Sequence, residues 1–384
     1  MKASSQPQPN KPNGNPTQPG STSPLPKENE AHVAKLPLEC VNTTGFGRLL
    51  QSLGISLVVS TYQAGKLILV RSDENGMNAH FRTFPTPMGV ALDRQRLVIG
   101  TRHHVVEYRN QPSVASKLDP PGKHDACFLP RSSHVTGDIR IHELGIANSG
   151  ELWLVNTRFS CLCTLDGEHS FVPRWRPPFV SALAAEDRCH LNGLAMLDDR
   201  PRYVSALGAT DTQGGWRENK ANGGLLIDVD RGDILLRGLS MPHSPRWYQE
   251  MLWVLESGEG SLAWVDLANG TWESVVQLPG FARGIDFYHQ YAFIGLSQVR
   301  ESAVFSGLPI TERLQERTCG VWVVDLQAGK PVGYLRFESG VQEIFAVQVL
   351  PHRFPELIKD DHELIPNSFV LPQEAMSDVE INRE

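Results

Sequence analysis

Three histidines stand at matching places in three similar segments of the chain. Each precedes by three residues a Gly, or the residue in its place, in an apolar run: His142 before Gly145, His190 before Gly193 and His243 before Arg246. Imidazole nitrogens bind Zn, Fe, Cu and Mn, and three of them leave positions open for water or substrate. The pattern predicts a divalent transition-metal site. A polar, water-filled channel and a chance alignment among 13 histidines are the alternatives.

Charged and polar residues stand beside these histidines. Glu143 follows the first of them directly, and Arg283 and Glu343 occupy nearby positions in other segments. A carboxylate there would be a fourth metal ligand or a general base, and an arginine would hold an anionic group or an oxyanion. We therefore predict that Glu143, Arg283 and Glu343 are catalytic and that Asn192 and Arg246 bind substrate. An ion pair that lines a channel is the alternative for the charged residues.

Short apolar runs separated by turn residues must position these side chains. In one unit they are residues 142–147, 151–155 and 161–166, and similar units recur about every 40 to 60 residues from Ser56 onward. Such intervals are typical of radial or stacked β-repeats, in which each unit supplies three or four strands.

The two ends of the repeat region each hold part of one further unit. Residues 57–60 and 67–70 resemble second and third strands, and residues 343–349 resemble a first strand. Pairing them closes a ring and removes an exposed sheet edge. The sequence therefore predicts an all-β, six-bladed β-propeller closed by pairing the C-terminal strand with the first blade. A pair of β-sandwiches or a ring of five or seven blades is the alternative.

Long irregular connections are predicted on the face where the first strands begin. They comprise residues 109–141, 211–223 and 297–318, and loops of this length inside a compact domain usually carry function. Trp216 and Arg217 are therefore predicted to form a substrate lid, and the alternative is a loop anchored by its own Trp. His134 and Asp138 are further candidates. Such a roof fits a small polar or peptide-like ligand better than a lipid.

Composition predicts the organisation of the whole chain. The 384 residues are 40% hydrophobic and carry a net charge of −7, without a long basic run or an apolar run of membrane-spanning length. Neither a nucleic acid nor a membrane is therefore expected as a partner. Residues 1–38 have the composition of a disordered segment and lack a signal peptide's apolar core, which predicts a cytoplasmic location. Residues 39–355 are predicted to form the propeller, followed by a tail over 356–384.

The six cysteines are predicted to be reduced and mostly buried thiols. The chain is far larger than the small secreted scaffolds that need disulfides, and it contains no CxxC pair for a structural zinc ion. A Walker motif, a dinucleotide fingerprint and a Ser-His-Asp triad are not found in the sequence either.

Several long motifs resemble a bacterial family of propeller-like hypothetical proteins whose activity is uncharacterised. They are HVTGDIRIHELG (134–145), WLVNTRFSCLCTLD (153–166), RCHLNGLA (188–195), GATDTQGGWRENKANGG (208–224), MPHSPRW (241–247) and RGIDF (283–287). The resemblance runs from about Ser56 to Pro351 and implies a propeller-like domain. In site architecture alone, His142, His190 and His243 are also similar to the zinc ligands of the peptidyl-hydroxyglycine amidating lyase, which come from different blades of a six-bladed propeller.

Two classes of function remain open at this point. The first is a metal-dependent enzyme, a lyase, hydrolase or oxidase, that acts on a small polar or peptide-like substrate. The second is a non-catalytic propeller scaffold that binds a peptide or a protein through the loop-rich face. Metal analysis of untagged protein tests the first class, and pull-down with and without residues 208–224 tests the second. The first class requires that the three imidazoles point toward one place near the ring's centre.

Overall fold

The computed structural model describes residues 38–299 and 306–379, in which six small sheets, antiparallel except for one outer strand, form a ring. From the innermost strand outward, blade one consists of Ala346–Leu350, Ser56–Thr61, Lys66–Asp73 and Gly76–Thr83, and blade two of Val90–Leu92, Arg96–Gly100, His104–Asn110 and Ala126–Val135. Blade three consists of Ile141–Ile146, Leu152–Asn156, Cys161–Thr164 and Val172–Trp175, and blade four of Leu191–Leu197, Arg200–Ala206, Gly224–Asp228 and Ile234–Leu239. Blade five consists of Pro242–Tyr248, Met251–Glu256, Ser261–Asp266 and Thr271–Gln277, and blade six of Phe281–Tyr288, Tyr291–Ser297, Gly320–Asp325 and Lys330–Phe337.

The ring closes as the sequence predicts. The C-terminal strand Ala346–Leu350 pairs antiparallel with Ser56–Thr61, so that Val347 lies opposite Val59. Each innermost strand also contacts the innermost strands of both neighbouring blades, including those of blades six and one. The six-bladed β-propeller is therefore confirmed, with blade one built from both ends of the repeat region.

Short segments at both ends add an outer strand to a blade. Cys40–Asn42 becomes the fifth strand of blade six, and Pro355–Leu357 runs parallel to the outermost strand of blade two. The second segment is held by Glu356, whose carboxylate lies 3.1 Å from Arg71 and 2.8 Å from Arg82 of blade one. The sheets thus extend from residue 40 to residue 357. The segment predicted to be disordered, residues 1–38, lies outside the described residues except for Leu38.

The helix Phe46–Leu53 leads into the first blade. Its Phe46 and Leu50 side chains are buried in the core between blades six and one. Gly54 ends it with φ of 68°, a left-handed conformation that glycine adopts without a Cβ clash. Three short helical segments, Pro112–Ala115, Gly215–Asn219 and Pro309–Arg313, lie in connections between strands, and Gln373–Asp378 lies near the C-terminus.

Two local devices recur around the ring. At the hairpin after the third strand, an aspartate accepts the backbone N–H groups two and three residues further on, as Asp166, Asp228, Asp266 and Asp325 do. At the end of the second strand, a hydroxyl donates to a carbonyl at the start of the next blade, as Ser60, Thr157, Ser257 and Ser297 do. The first device fixes the hairpins, and the second joins neighbouring blades near the axis.

The connections differ in part from the prediction. Residues 109–141 were expected to be irregular, but they contain the outermost strand of blade two, Ala126–Val135. The long connection 111–125 joins the third and fourth strands, so it lies on the face opposite the one predicted. The connections 207–223 and 298–319 do join second and third strands on the face where the innermost strands begin. Residues 300–305 of the latter lie outside the described residues.

All six cysteines are free, and five of them are buried. Cys161 and Cys163 point the same way from one strand into the core between blades two and three. Within residues 38–299 and 306–379, no helix is long and apolar enough to cross a membrane.

Candidate functional site at the axial mouth

A bulge interrupts the innermost strand of blades three to six close to its start. The pairing register shifts between Ile141 and Leu144, Leu191 and Gly193, His243 and Arg246, and Ala282 and Ile285. A bulge leaves unpaired residues that redirect their side chains, and bulges are frequent beside functional sites. His142, Asn192 and Arg283 are such unpaired residues, so the bulges bring polar groups to the mouth of the channel.

The three histidines do not share one register, and this part of the prediction is wrong for His190. The residue just before each innermost strand of blades three to five has a left-handed φ: Arg140 at 53°, His190 at 51° and Met241 at 46°. His142 and His243 each come two residues after such a position, whereas His190 occupies it. The alignment failed because the two glycines are not equivalent. Gly145 lies opposite Trp153, near the start of the second strand of blade three, whereas Gly193 lies opposite Ser205, near the end of the second strand of blade four.

Left-handed residues turn backbone carbonyls toward two of the imidazoles. Nδ1 of His142 lies 3.0 Å from the carbonyl oxygen of Arg140, and Nδ1 of His243 lies 2.9 Å from that of Met241. Because a carbonyl oxygen only accepts, Nδ1 of both rings carries the proton. Nε2 of both rings is then left with a lone pair, as an acceptor of protons or a ligand of metals.

His190 is oriented by a carboxylate. Its Nδ1 lies 3.0 Å from both carboxylate oxygens of Asp187, which stands three residues earlier and is itself buried. The ring packs on Trp216 at a centroid distance of 4.4 Å. Its left-handed φ costs of the order of 1–3 kcal/mol in a residue other than glycine, and such strain concentrates at functional sites.

The imidazoles lie among aromatic rings at the mouth, and His142 contacts one from the closing segment. The ring centroids of His142 and His190 are 4.8 Å apart, and that of His142 is 5.2 Å from Phe345. The guanidinium of Arg283 stacks on Phe345, with its Cζ atom 3.6 Å from the ring centroid. His243 packs on Phe281 and interacts electrostatically with Arg283 and His190. Residues from five blades therefore converge at the mouth.

Two charged side chains at the mouth keep buried polar atoms without partners. Glu343 accepts hydrogen bonds at Oε2 from Thr61 Oγ1 and the Gln63 backbone N–H, both at 3.2 Å. Its Oε1 is buried and accepts none from the part of the chain that the structure describes. Nη2 of Arg283 is likewise buried and donates to no acceptor among the described residues. The two groups interact electrostatically.

Burial sets the protonation of this site. It lowers the pKa of His142 and His243 well below the ordinary value, and the neighbouring His190 and Arg283 lower them further, so both rings are neutral at physiological pH. Burial also raises the pKa of Glu343 to about 7, although Arg283 acts in the opposite direction. Glu343 therefore gains and loses its proton close to neutral pH.

Glu143 and Arg246 form a buried bidentate ion pair. The distances are 3.0 Å from Nη2 to Oε1 and 3.1 Å from Nη1 to Oε2, and Nη1 also lies 3.1 Å from the carbonyl oxygen of Leu194. This arrangement does not support their predicted roles as base and substrate ligand, since each satisfies the other. It corresponds to the channel-lining ion pair that the sequence left open.

Asn192 also satisfies its polar atoms within the protein. Its Nδ2 donates to the carbonyl oxygen of Pro242 at 3.0 Å, and its Oδ1 accepts from Ser205 Oγ at 2.6 Å. The side chain thus connects blade four to blade five. Its predicted contact with substrate has no support in this geometry.

The connection 207–223 covers part of the mouth. Trp216 is buried against His190, and Arg217 stacks on Trp216 at 4.5 Å with half of its side chain exposed. Trp216 Nε1 is buried and donates to no acceptor in the described part of the chain. His134 bonds the carbonyl of Ser170 and Asp138 pairs with Arg158, so neither contributes to the cluster.

Sequence reasoning missed Asp187 and Phe345, together with the residues of the loop after Thr61. Asp187 carries a local signal, since it precedes His190 by three residues. Phe345 carries none, because its role depends on the closing segment's meeting blades three and six across the ring. No group of three or more His, Cys, Asp or Glu side chains within residues 38–299 and 306–379 is arranged to hold a metal ion.

Six closed blades with polar side chains gathered at one axial mouth define a β-propeller with a candidate ligand site. Residues 44–358 match the family described as a domain of unknown function (DUF4915), so the chain belongs to that family. No curated protein matches the sequence.

Solved propeller structures are similar in fold. A nidogen/laminin complex aligns with a TM-score of 0.50 and 11% identity over 78% of this chain and 100% of the other. A catalytically inactive virginiamycin B lyase from Staphylococcus aureus, solved with quinupristin, aligns with a TM-score of 0.40 and 10% identity over 78% and 98%. At these identities the likeness concerns the fold alone, and the second alignment carries no argument. These comparisons lend no support to a relation with the amidating lyase.

Proposed function

We propose that the protein is an enzyme that acts on a small polar, anionic substrate at the axial mouth. The observation that carries the proposal is the pair of buried, unpartnered atoms, Nη2 of Arg283 and Oε1 of Glu343, beside neutral imidazoles. Buried polar atoms in native proteins are nearly always hydrogen-bonded, so these two atoms point to a ligand that completes them.

The chemistry of the site suits proton transfer to and from a bound anion. Arg283 offers an N–H to a carboxylate or to an oxyanion that develops during the reaction. Glu343, with its pKa of about 7, donates or accepts a proton at neutral pH, as a general acid–base catalyst must. The lone pair on Nε2 of His142 supplies a second proton acceptor. A lyase or a hydrolase is the reaction class that these groups support best.

A divalent transition metal, Zn, Fe, Cu or Mn, at the histidines is a second candidate. One observation favours it: Nδ1 of His142, His190 and His243 is bonded to a protein acceptor, so that Nε2 is the nitrogen that would bind a metal. Metal-binding histidines are characteristically oriented in this way by a carbonyl or a carboxylate. An oxidase reaction depends on this candidate.

A cytoplasmic location also forms part of the proposal. The six cysteines are free thiols, as is usual in a reducing compartment, and this supports the proposed location.

Untargeted turnover by untagged protein tests the enzyme proposal. The protein is incubated with a deproteinised cell extract at pH 7, and consumption of small anions is followed by mass spectrometry. We expect at least one to be consumed, about 100-fold more slowly by Glu343→Gln and by Arg283→Met. Glu74→Gln, at an exposed turn, is the matched control and should consume it at the wild-type rate.

Two outcomes count against the proposal. If the wild type consumes no anion, or if all variants consume it equally, the mouth is not an active site. Saturable binding without turnover, retained by Glu343→Gln, would instead identify a non-catalytic propeller that binds its ligand or partner through the loop-rich face.

Elemental analysis of the same untagged protein tests the metal candidate separately. Stoichiometric metal in the wild type, lost in folded His190→Ala, would support it. A wild type that holds no metal and takes up none from added Zn, Fe, Cu or Mn would refute it, while the acid–base proposal would stand.

A further inference from the structure

A separate cavity of about 590 Å³ lies between the outer strands of blades one and two. It shares no residue with the axial mouth. Its walls come from Arg82 and Thr83 in blade one, the third and fourth strands of blade two, and the chain after Pro355–Leu357. A cavity of this size is within the range of small-molecule sites.

One wall of this cavity is apolar and aromatic. Tyr108 and Phe84 meet edge to face with ring centroids 6.1 Å apart, and Val106, Leu357 and Ile358 extend the same surface. Tyr108 is almost completely buried. Aromatic surface of this kind packs against flat or branched apolar groups.

A single arginine gives the cavity an unsatisfied charge. Arg131 lines it, and its Nε and Nη2 atoms are buried without an acceptor among the described residues. Its Nη1 lies 3.2 Å from the carbonyl oxygen of Pro130. The other arginine of the wall, Arg82, is already engaged by Glu356 and by the carbonyl oxygen of Leu357.

The backbone pairing is irregular at Arg131, where this side chain lines the cavity. The pairing register between the third and fourth strands shifts there: Glu107 faces Ser132 and Tyr108 faces Pro130, which leaves Arg131 as the unpaired residue of a bulge. Bulges redirect side chains at binding sites. Nε and Nη2 form one edge of the guanidinium, whose two parallel N–H bonds match the two oxygens of a carboxylate.

We propose that this cavity binds a small amphipathic carboxylate. The two oxygens of the ligand accept from Nε and Nη2 of Arg131, and its aryl or alkyl body packs on Phe84 and Tyr108. The exposed aspartates at the rim, Asp360 and Asp361, oppose an anion, and Asp360 also acts electrostatically on Tyr108. The bidentate contact with Arg131 has to outweigh this repulsion. The inference is independent of the function proposed for the axial mouth.

Ligand-observed NMR with matched probes tests the proposal. The probes are 3-phenylpropionate and hexanoate, with their amides as neutral partners of the same shape. We expect both acids to bind in a saturable manner, at least about tenfold more tightly than their amides. Arg131→Gln should remove this preference, whereas Arg48→Gln, on the exposed side of the helix Phe46–Leu53, should retain it.

A second variant guards against misfolding of the first. Ser133→Tyr places a large side chain at an exposed position of the cavity wall and should weaken the binding of acids and amides alike. The proposal is overturned if neither acid shows saturable binding when its concentration is raised to about 10 mM. That concentration is about ten times a dissociation constant of about 1 mM. It is also overturned if acids and amides bind equally, or if Arg131→Gln binds the acids as the wild type does.

Discussion

Replacing Glu343 by Gln should change how the stability of the protein depends on pH. Glu343 is 6% exposed, and burial raises its pKa to about 7 from the ordinary 4.5. The folded protein therefore binds its proton more tightly than the unfolded chain does. The contribution of this group to the free energy of unfolding is complete below pH 4.5 and is lost as the pH rises through 7.

The size of this effect follows from the two pKa values. When the pH rises from below 4.5 to above 7, the free energy of unfolding of the wild type falls by about 3 kcal/mol, because the carboxyl group loses its proton. Each pKa unit corresponds to about 1.4 kcal/mol. Glutamine has the shape of the protonated acid and does not titrate. The free energy of unfolding of Glu343→Gln should therefore match that of the wild type near pH 4.5 and exceed it by about 3 kcal/mol near pH 8.5.

Urea denaturation of both proteins between pH 4.5 and 8.5 measures the difference. Other titrating groups contribute equally to both curves and cancel, so the difference curve isolates Glu343. Glu74→Gln is the control and should follow the wild type throughout. A difference between Glu343→Gln and the wild type that stays constant over this range would refute the assignment of a proton near pH 7 to Glu343.

Three further outcomes are expected. Burial lowers the pKa of His142, so its contribution to the free energy of unfolding is present above pH 6.5 and is lost as the pH falls. In His142→Gln, the free energy of unfolding measured with urea should therefore fall less steeply below pH 6.5 than in the wild type. Arg246→Met leaves the buried carboxylate of Glu143 unpaired and should cost about 3–5 kcal/mol in urea denaturation, most of which the double variant with Glu143→Leu should restore. Val347→Asp places a charge in the closing strand and should lower the melting temperature by roughly 5 °C or more, estimated from a cost above about 3 kcal/mol in a domain of this size. Val332→Asp, on the exposed outer strand of blade six, should leave the melting temperature almost unchanged, and equal losses in the two variants would contradict closure through residues 346–350.

The repeat and its closure were accessible from the sequence because they depend on local patterns. Apolar runs of strand length, each followed by turn residues such as Asp266 and Gly270, recur around the ring, and each run becomes a strand nearly where it was expected. The incomplete units at the two ends predicted the pairing of Ala346–Leu350 with Ser56–Thr61. These features follow from hydrogen bonding and burial within one blade or between neighbours.

The details of the axial mouth were not accessible in this way. The sequence placed His190 in the register of His142 by treating Gly145 and Gly193 as equivalent. Gly145 lies four residues after the first paired residue of its strand, whereas Gly193 lies only two residues after the first paired residue of its own. Glu143 was read as a free base because its partner, Arg246, is 103 residues away in the chain.

The sequence by itself determined the six-bladed ring, the strand that closes it and the polar character of the mouth, since strand periodicity and turn chemistry are local properties of the chain. The tertiary structure alone decided which polar groups satisfy one another and which remain open. Glu143 and Arg246 neutralise each other, whereas Arg283 and Glu343 keep buried atoms without partners. That distinction depends on side chains that meet across the axis from different blades, where close packing leaves room for only one arrangement.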